Sequence, residues 1–338
     1  MDYCRKISPD ISPPIVYANP FSRLREKGLL VLCAVLFFST VLVVTTRVWP
    51  AGEDAIAVIF PDIGAPYRSI FEEMIRGIED KIGTQVAAYP VNSDTDIAGL
   101  KNSLLQQKIK VVIALGRQGM KTAAALNDEA VVVGGVLTVP EDEARRQPVI
   151  TLSPDPALLF ARMKVLMPMT KRIFVVYDPG FNGWLIRLAK EAASAQGLEL
   201  VAYEASDTRS AVQSYQEIFS KADGRNDALW LPQDPTTVED SSILPLVLQE
   251  SWNQSIAVFS SNFGHVRRGV LFSLYPDNVA LGKRLAGLAE GILNSNVASE
   301  NPGMMSLRDV QGAVNVRTAK HLAINSTRLK SFNTTFPE

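Results

Sequence analysis

The sequence predicts an α/β fold of two doubly wound parallel-sheet lobes, preceded by one N-terminal transmembrane helix. From residue 55 onward, short apolar segments of strand length alternate with amphipathic segments of helix length. The alternation restarts near residue 156, which indicates a second lobe built like the first. An uncharged apolar run precedes both lobes, at residues 28–46.

Composition is typical of a chain that folds, and its charge does not point to nucleic acid as a partner. The chain has 338 residues, of which 47% are hydrophobic and 20% charged, so it can bury a substantial core. Its formal net charge of -1 gives no electrostatic reason to expect nucleic acid as a partner. Both cysteines, Cys4 and Cys33, precede the globular region, which therefore contains no disulfide and no thiolate metal site.

The N-terminal segment has the features of a single membrane span. Residues 28–46 read GLLVLCAVLFFSTVLVVTT, and at about 1.5 Å per residue they span roughly 30 Å, the thickness of a bilayer core. Arg23, Arg25 and Lys27 precede this run, so the positive-inside rule places the N-terminus in the cytoplasm. We therefore expect a cytoplasmic tail at 1–27, an anchor in the inner (cell) membrane at 28–48, and a globular region on the periplasmic or extracytoplasmic side.

A cleaved signal peptide is the alternative interpretation of the same segment. The apolar run is longer than that of most signal peptides, and a long tail precedes it. Residues 45–53, TTRVWPAGE, also offer no good small-x-small cleavage site. These features favour a permanent anchor, or an uncleaved signal, over a cleaved one.

The first half of the globular region begins with an apolar strand at 56–60. A helix follows, because large apolar residues recur every four positions from Ile70 to Ile82 and Gly83 is a natural stop. The next elements are predicted in this order: strand 84–91, helix 96–108, strand 110–115, helix 119–126 and strand 130–136.

The second half repeats this alternation from residue 156. Its predicted elements are helix 156–166, strand 172–178, a helix from 184 that stops at 197, strand 198–205, helix 211–221, and strands 227–232, 256–261 and 270–276. Asp277 or Asn278 can cap a last long helix, which has leucines at 281, 285 and 288 on one face.

The predicted strands are continuously apolar and are separated by helices, which is typical of parallel sheets covered on both faces. Ligands of such sheets bind beyond the carboxyl ends of the strands, and two facing lobes would place the site in the cleft between them. Small, polar or aromatic residues follow several strands in the segments 61–69, 116–121, 178–184, 232–237, 262–265 and 275–278.

No pattern in the sequence indicates catalysis. The chain contains no G-x-G-x-x-G, no P-loop lysine motif, no G-x-S-x-G and no H-E-x-x-H. We expect His265 in a surface loop and His321 on a helix, too far apart in sequence to form a metal motif. The acidic run at 140–146 is interpreted as a solvated loop. We therefore predict no enzymatic activity, no cofactor and no metal site.

Three segments resemble the substrate-binding proteins of ABC transporters with the type I periplasmic-binding fold, in the branch that includes tryptophan/tyrosine-type binding proteins. Residues 166–184, LMPMTKRIFVVYDPGFNGW, look like the opening of that branch's second lobe. Residues 256–293 resemble the family's stretch that contains a Y-x-x-D pattern. Residues 313–324, AVNVRTAKHLAI, resemble its closing N-x-x-T-A motif. The resemblance covers roughly residues 55–326.

The resemblance implies that the chain crosses between the lobes three times and that these crossings form a hinge. It places the first lobe at 55–148 plus 269–298 and the second at 149–268 plus 299–334. Ligand binding would close the hinge and so shift an open–closed equilibrium. The chain departs from the family at residues 140–153, where PEDEARRQPVITLS replaces a Gly-Asn-x-Thr-Gly segment, and in its uncleaved anchor.

The resemblance implies a protein that captures a small-molecule solute, possibly an amino acid, and delivers it to an ABC permease. The alternative is a membrane-anchored sensor module whose partner is a membrane sensor kinase, and the uncleaved anchor motivates it. For Asp234 two roles remain open, holding a ligand ammonium group or closing an Asp-Pro turn. The candidate ligand contacts are Ala65, Tyr67, Gly116, Gln118, Tyr177, Phe181, Asn182, Asp234, Asn262 and Tyr275.

Overall fold

The computed structural model describes residues 55–126, 130–294 and 303–337. The predicted tail and membrane helix, residues 1–48, lie outside these ranges. Within the ranges, no helix is both long enough and apolar enough to cross a membrane. The described residues fall within one compact unit, Glu53–Glu338.

The first sheet contains six parallel strands among the described residues, in the order β11-β5-β4-β3-β1-β2. Its strands are β1 (Ile56–Pro61), β2 (Ala87–Val91), β3 (Val111–Leu115), β4 (Ala130–Val136), β5 (Val149–Pro154) and β11 (Met304–Leu307).

The second sheet contains seven described strands, in the order β13-β12-β10-β9-β8-β6-β7. Only the pair β10–β12 is antiparallel. Its strands are β6 (Arg172–Tyr177), β7 (Glu199–Glu204), β8 (Asp227–Leu231), β9 (Ala257–Ser260), β10 (Phe272–Pro276), β12 (Val310–Asn315) and β13 (Thr334–Phe336).

Helices connect most of the strands. Those described are α1 (Arg68–Ile82), α2 (Ile97–Gln106), α3 (Gly116–Leu126), α4 (Glu141–Ala144), α5 (Pro156–Leu166), α6 (Pro179–Ala195), α7 (Thr208–Lys221), α8 (Ile243–Gln254), α9 (Phe263–Arg268), α10 (Asn278–Asn294) and α11 (Val316–His321).

Each sheet is covered on both faces, which explains why its central strands are continuously apolar. In β1, Ala57 and Ile59 belong to the core on one face, while Ile56, Val58 and Phe60 belong to the core on the other. The strand β6 divides its residues between two cores in the same way. Because successive side chains point to opposite faces, a strand buried on both sides needs apolar residues throughout. The predicted doubly wound α/β lobes are confirmed.

The chain passes between the two sheets three times, as the resemblance implied. The first passage leads from β5 to β6, the second from β10 to β11, and the third from β11 to β12. The sheets differ from the expected lobe limits at three strands. Strand β5 pairs with β4 and with β11, which places both β5 and β11 in the first sheet, and β10 pairs with β9 in the second. As a division of the whole chain into lobes, the expected limits remain a prediction.

Helix α10 returns the chain to the first lobe by packing closely on α1. A Cβ atom added at Gly282 would lie 2.0 Å from the Met74 carbonyl oxygen, and one added at Gly77 would lie 2.0 Å from that of Val279. Only glycine permits backbones to approach this closely. Leu281 and Leu285 of α10 are fully buried in the core beneath the contact.

Candidate functional site

The three passages between the sheets are bonded to one another. The Asp155 backbone N–H donates to the Leu307 carbonyl at 2.8 Å, and that of Asp277 donates to the Asp309 carbonyl at 2.9 Å. The guanidinium of Arg308 donates to the Asp155 carboxylate, also at 2.8 Å. Residues beside all three passages are therefore linked laterally by hydrogen bonds.

In the second lobe, adjacent parallel strands bring several predicted residues to one edge. The strands β6, β8 and β9 are neighbours, and they end at Tyr177, Leu231 and Ser260. The loops that follow them therefore lie side by side at the carboxyl edge of the sheet. The Gln233 side chain links two of these loops, since its amide donates to the Ser261 carbonyl at 2.7 Å.

Asp234 holds two of these loops together. Its Oδ2 accepts hydrogen bonds from the Asp178 backbone at 2.7 Å and from the Asn182 amide at 2.9 Å. Its Oδ1 accepts from the backbones of Thr236 and Thr237, each at 3.0 Å. An ionised carboxylate accepts about four hydrogen bonds, and Asp234 is only 4% exposed. Between the two roles considered for this residue, the geometry favours turn chemistry.

Tyr177 and Asn182 lie within the second lobe and not on an open surface. The Tyr177 hydroxyl donates to Glu204 on β7 at 2.8 Å, and burial raises the pKa of this tyrosine to about 12. The buried Asn182 amide donates to Asp234 and to the Gln233 carbonyl. Both side chains therefore support the loops through bonds within the lobe and do not offer free polar groups at this edge.

Asn262 and Tyr275 lie beside each other at the ends of β9 and β10. The Asn262 side chain caps α9 by accepting from the Gly264 backbone at 2.9 Å. The Tyr275 ring packs on Phe263 at 4.7 Å, and its hydroxyl lies 3.0 Å from both Gln311 and Thr334. Both residues are partly exposed.

In the first lobe, the predicted residues follow the neighbouring strands β1 and β3. Ala65 and Tyr67 are exposed in the loop after β1, where Tyr67 is 64% accessible. Gly116 begins α3 directly after β3 with φ +68, and a Cβ added there would approach the Phe71 ring at 3.2 Å. Gln118 is half-buried on the first turn of α3. All four predicted residues therefore lie at the carboxyl edge of the first sheet.

A hydrogen bond joins the two lobes next to Phe181. The Thr138 hydroxyl donates to the Phe181 backbone carbonyl at 3.2 Å. Thr138 lies beyond the carboxyl end of β4 in the first lobe, and Phe181, 38% exposed, lies at the start of α6 in the second. The carboxyl edges of the two sheets therefore meet at this point.

Sequence reasoning did not single out Thr138, nor Gln233 as a link between loops. Both follow predicted strands, so the rule that selected the other loops would have reached them. Thr138 follows the strand predicted at 130–136, but the loop after that strand was not considered. The role of Gln233 depends on which strand lies next to β8, and the sequence alone does not specify this order.

His265 is buried, so the expectation of a surface loop is wrong. It lies on α9, and its Nε2 is 3.1 Å from Asp240 while its Nδ1 is 2.8 Å from the Ser260 hydroxyl. Burial lowers the pKa of His265, and Asp240 opposes that shift. The carboxylate can only accept, so Nε2 donates to Asp240.

This Ser-His-Asp line has the residue types of a catalytic triad but lacks access for a substrate. The Ser260 side chain is completely buried, and its oxygen also accepts from the Asn262 backbone at 3.0 Å. A nucleophile must reach a substrate atom, which a sealed hydroxyl does not do. Among the residues that the structure describes, no cluster of three or more His, Cys, Asp or Glu side chains could hold a metal ion.

A sequence profile of ABC transporter substrate-binding proteins matches residues 76–329. The chain belongs to this family. The match covers most of the chain and includes most of both sheets, so the resemblance noted in the sequence is confirmed. No curated protein matches the full sequence significantly.

Several solved structures share the fold at low sequence identity. One is the ABC domain from Streptococcus pneumonia in complex with L-Trp, 18% identical, with a TM-score of 0.50 over 83% of this chain and 99% of that one. Another is the ligand-free, open structure of a substrate-binding protein with adhesive properties from Clostridium difficile, 18% identical, with a TM-score of 0.58 over 82% and 98%. A conserved domain protein from Vibrio cholerae is 18% identical, with a TM-score of 0.50 over 83% of this chain and 98% of that one.

Proposed function

We propose that this family member captures a small solute between its two lobes and delivers it to an ABC-type permease. The observation that carries the proposal is the family match over residues 76–329, together with two parallel-sheet lobes whose carboxyl edges meet at Thr138 and Phe181. Polar and aromatic groups on both edges could close over a ligand as the hinge bends. No described feature favours the sensor alternative over this function.

We propose an amino acid as the solute class. The related domain from Streptococcus pneumonia was solved with L-Trp, which makes aromatic amino acids the first to test. The exposed rings of Tyr67 and Phe181 could contact an aromatic side chain. Asp234 is not proposed as a ligand contact, because its acceptor positions are already filled within the chain.

We propose that residues 28–48 anchor the protein in the inner membrane, with its lobes outside the cytoplasm. The support is the uncharged apolar run and the preceding basic residues. Membrane fractionation and protease treatment of intact spheroplasts test this proposal. The full-length chain should sediment with membranes and should lose its lobes to external protease; recovery in the soluble fraction would contradict the anchor.

Solute capture is tested by thermal denaturation of the full-length chain with amino acids, short peptides, sugars and purines. A ligand that binds only the native state raises the melting temperature by mass action. We expect a shift with one amino-acid class, with L-tryptophan and L-tyrosine tested first. No shift with any compound would contradict solute capture.

A pair of variants tests the location of the site. Tyr67→Ala should weaken binding of the identified solute without lowering the melting temperature of the free protein, because Tyr67 is exposed. Met169→Ala is the matched control, since Met169 is 66% exposed and precedes β6, away from the carboxyl edge. Equal affinity in both variants would place the site elsewhere.

A further inference from the structure

A cavity of about 420 Å³ opens in the second lobe, away from the lobe-to-lobe contact. Ile256 and Gly269 line it; Ile256 directly precedes β9, and Gly269 lies three residues before the start of β10. The cavity therefore lies at the amino ends of these strands, whereas the proposed solute site follows their carboxyl ends. Its volume falls within the range of about 300–1,000 Å³ that is typical of small-molecule sites.

Paired polar groups form the floor of this cavity. The buried Asn315 amide donates to the Val266 carbonyl at 2.9 Å, and its Oδ1 accepts from the backbones of Arg317 and Thr318. The Thr318 hydroxyl donates to the Gly269 carbonyl at 2.8 Å. These bonds tie the start of α11 to α9 and to Gly269 directly after it, so the floor is already formed without a ligand.

One wall of the cavity is aromatic. The rings of Trp252 and His321 stack with centroids 3.8 Å apart and an interplanar angle of 10°. His321 donates from Nε2 to the Trp252 backbone carbonyl at 3.0 Å, which holds the two residues together. Trp252 nevertheless remains 46% exposed. An indole fixed on one face and open elsewhere can stack on a planar ligand.

The other lining residues make the cavity electropositive. Its lining contains Arg267, Arg268 and Arg317 but no Asp or Glu. Asp240 neutralises Arg268 at 3.4 Å, whereas Arg267 and Arg317 form no ion pair with any carboxylate among the described residues. The Arg267 guanidinium is held over the rings of Phe263 and Phe336, at 5.6 and 5.1 Å. Two unneutralised guanidiniums beside an aromatic wall favour an anion.

We propose that this cavity is a second ligand site, separate from the cleft, for a small molecule with a planar ring and an anionic group. The ring would stack on Trp252, and the carboxylate or phosphate would accept hydrogen bonds from Arg317 and Arg267. Arginine binds both anions through charge-assisted hydrogen bonds, so the shared chemistry is an anion attached to a ring. The site is independent of the solute that the cleft binds.

Isothermal titration of the full-length chain tests the proposal with benzoate and phenyl phosphate as probes. Benzamide is the uncharged analogue. We expect saturable binding of at least one anion and none of benzamide, and the anion that binds distinguishes carboxylate from phosphate recognition. Arg317→Gln should weaken that binding about tenfold, because a charge-assisted hydrogen bond is lost.

Lys320→Gln is the matched control, because it removes the same charge from α11 at an exposed residue outside the cavity lining. It should leave the affinity unchanged, and Arg317→Lys should recover part of it. Saturable binding of neither anion would overturn the proposal. Equal weakening by Arg317→Gln and Lys320→Gln would overturn it too, since general surface charge would then explain the attraction.

Discussion

The Asp155 carboxylate accepts a hydrogen bond from the Arg308 guanidinium at 2.8 Å and joins two of the three passages between the sheets. The Asp155 side chain is buried, at 6% exposure, whereas that of Arg308 is 57% exposed. The same carboxylate caps α5 by accepting from the Ala157 backbone, also at 2.8 Å. One side chain thus starts a helix of the second lobe and holds the segment that leaves the first.

Arg308→Gln should lower the free energy of unfolding by about 1 kcal/mol, because a buried carboxylate loses its charged donor but keeps its backbone donor. Urea denaturation followed by circular dichroism measures the change. Lys121→Gln, at an exposed lysine on α3, is the control for loss of one positive charge. If both variants unfold at the same urea concentration, the pair contributes no stability.

Gly282→Ala should destabilise the first lobe by roughly 1–3 kcal/mol, because the new methyl group would meet the Met74 backbone of α1 and force the helices apart. Gly287→Ala on the same helix is the matched control, since no atom lies within 4 Å of the added Cβ. That control should be neutral or stabilising, because alanine favours a helix interior. Thermal denaturation compares the two, and a Gly282→Ala protein as stable as Gly287→Ala would refute the close contact.

Asp234→Asn should lower the free energy of unfolding by about 2–4 kcal/mol, because the amide nitrogen would face two N–H donors that now bond to a carboxylate oxygen. Asp94→Asn, at an exposed loop aspartate, should change stability little. Urea denaturation without solute makes the measurement. Unchanged stability combined with lost solute binding would instead support the ammonium-binding role for Asp234.

The stability of the second lobe should fall in mild acid because of His265. Burial lowers its pKa in the folded state, so below about pH 6.5, the ordinary value, the unfolded chain binds more protons than the folded one. The free energy contributed by this group is therefore present above pH 6.5 and is lost as the pH falls through the lowered pKa. Urea denaturation between pH 5 and 7.5 should show a steeper loss for the native protein than for His265→Gln. Parallel pH profiles would contradict this assignment.

Sequence patterns were sufficient where an element is determined locally. The strand at 130–136 and the helix at 156–166 have the predicted boundaries, because apolar runs, Asp155 as a cap and Pro156 at the first turn are all local signals. Strand β5 was not predicted, although VITLSP is largely apolar. It follows a charged run, and its partner β11 lies about 150 residues further along the chain. Strands β11, β12 and β13 were missed for the same reason, since pairing with distant strands stabilises them.

The sequence by itself determined the α/β class, the presence of two lobes and the edges at which a ligand site could form. These follow from periodicity and from residues adjacent in the chain. Only the tertiary structure decided what the candidate side chains contact. From the local sequence, Asp234 can equally well cap a turn or hold an ammonium group. In the fold, Asp178 and Asn182, more than fifty residues earlier in the chain, both donate hydrogen bonds to its Oδ2. The local sequence predicts a loop for His265, but in the fold this residue is buried between the end of β9 at Ser260 and the segment around Asp240. Hydrogen-bond partners brought together by strand order are not encoded in any local pattern, because strand order depends on how the whole sheet packs.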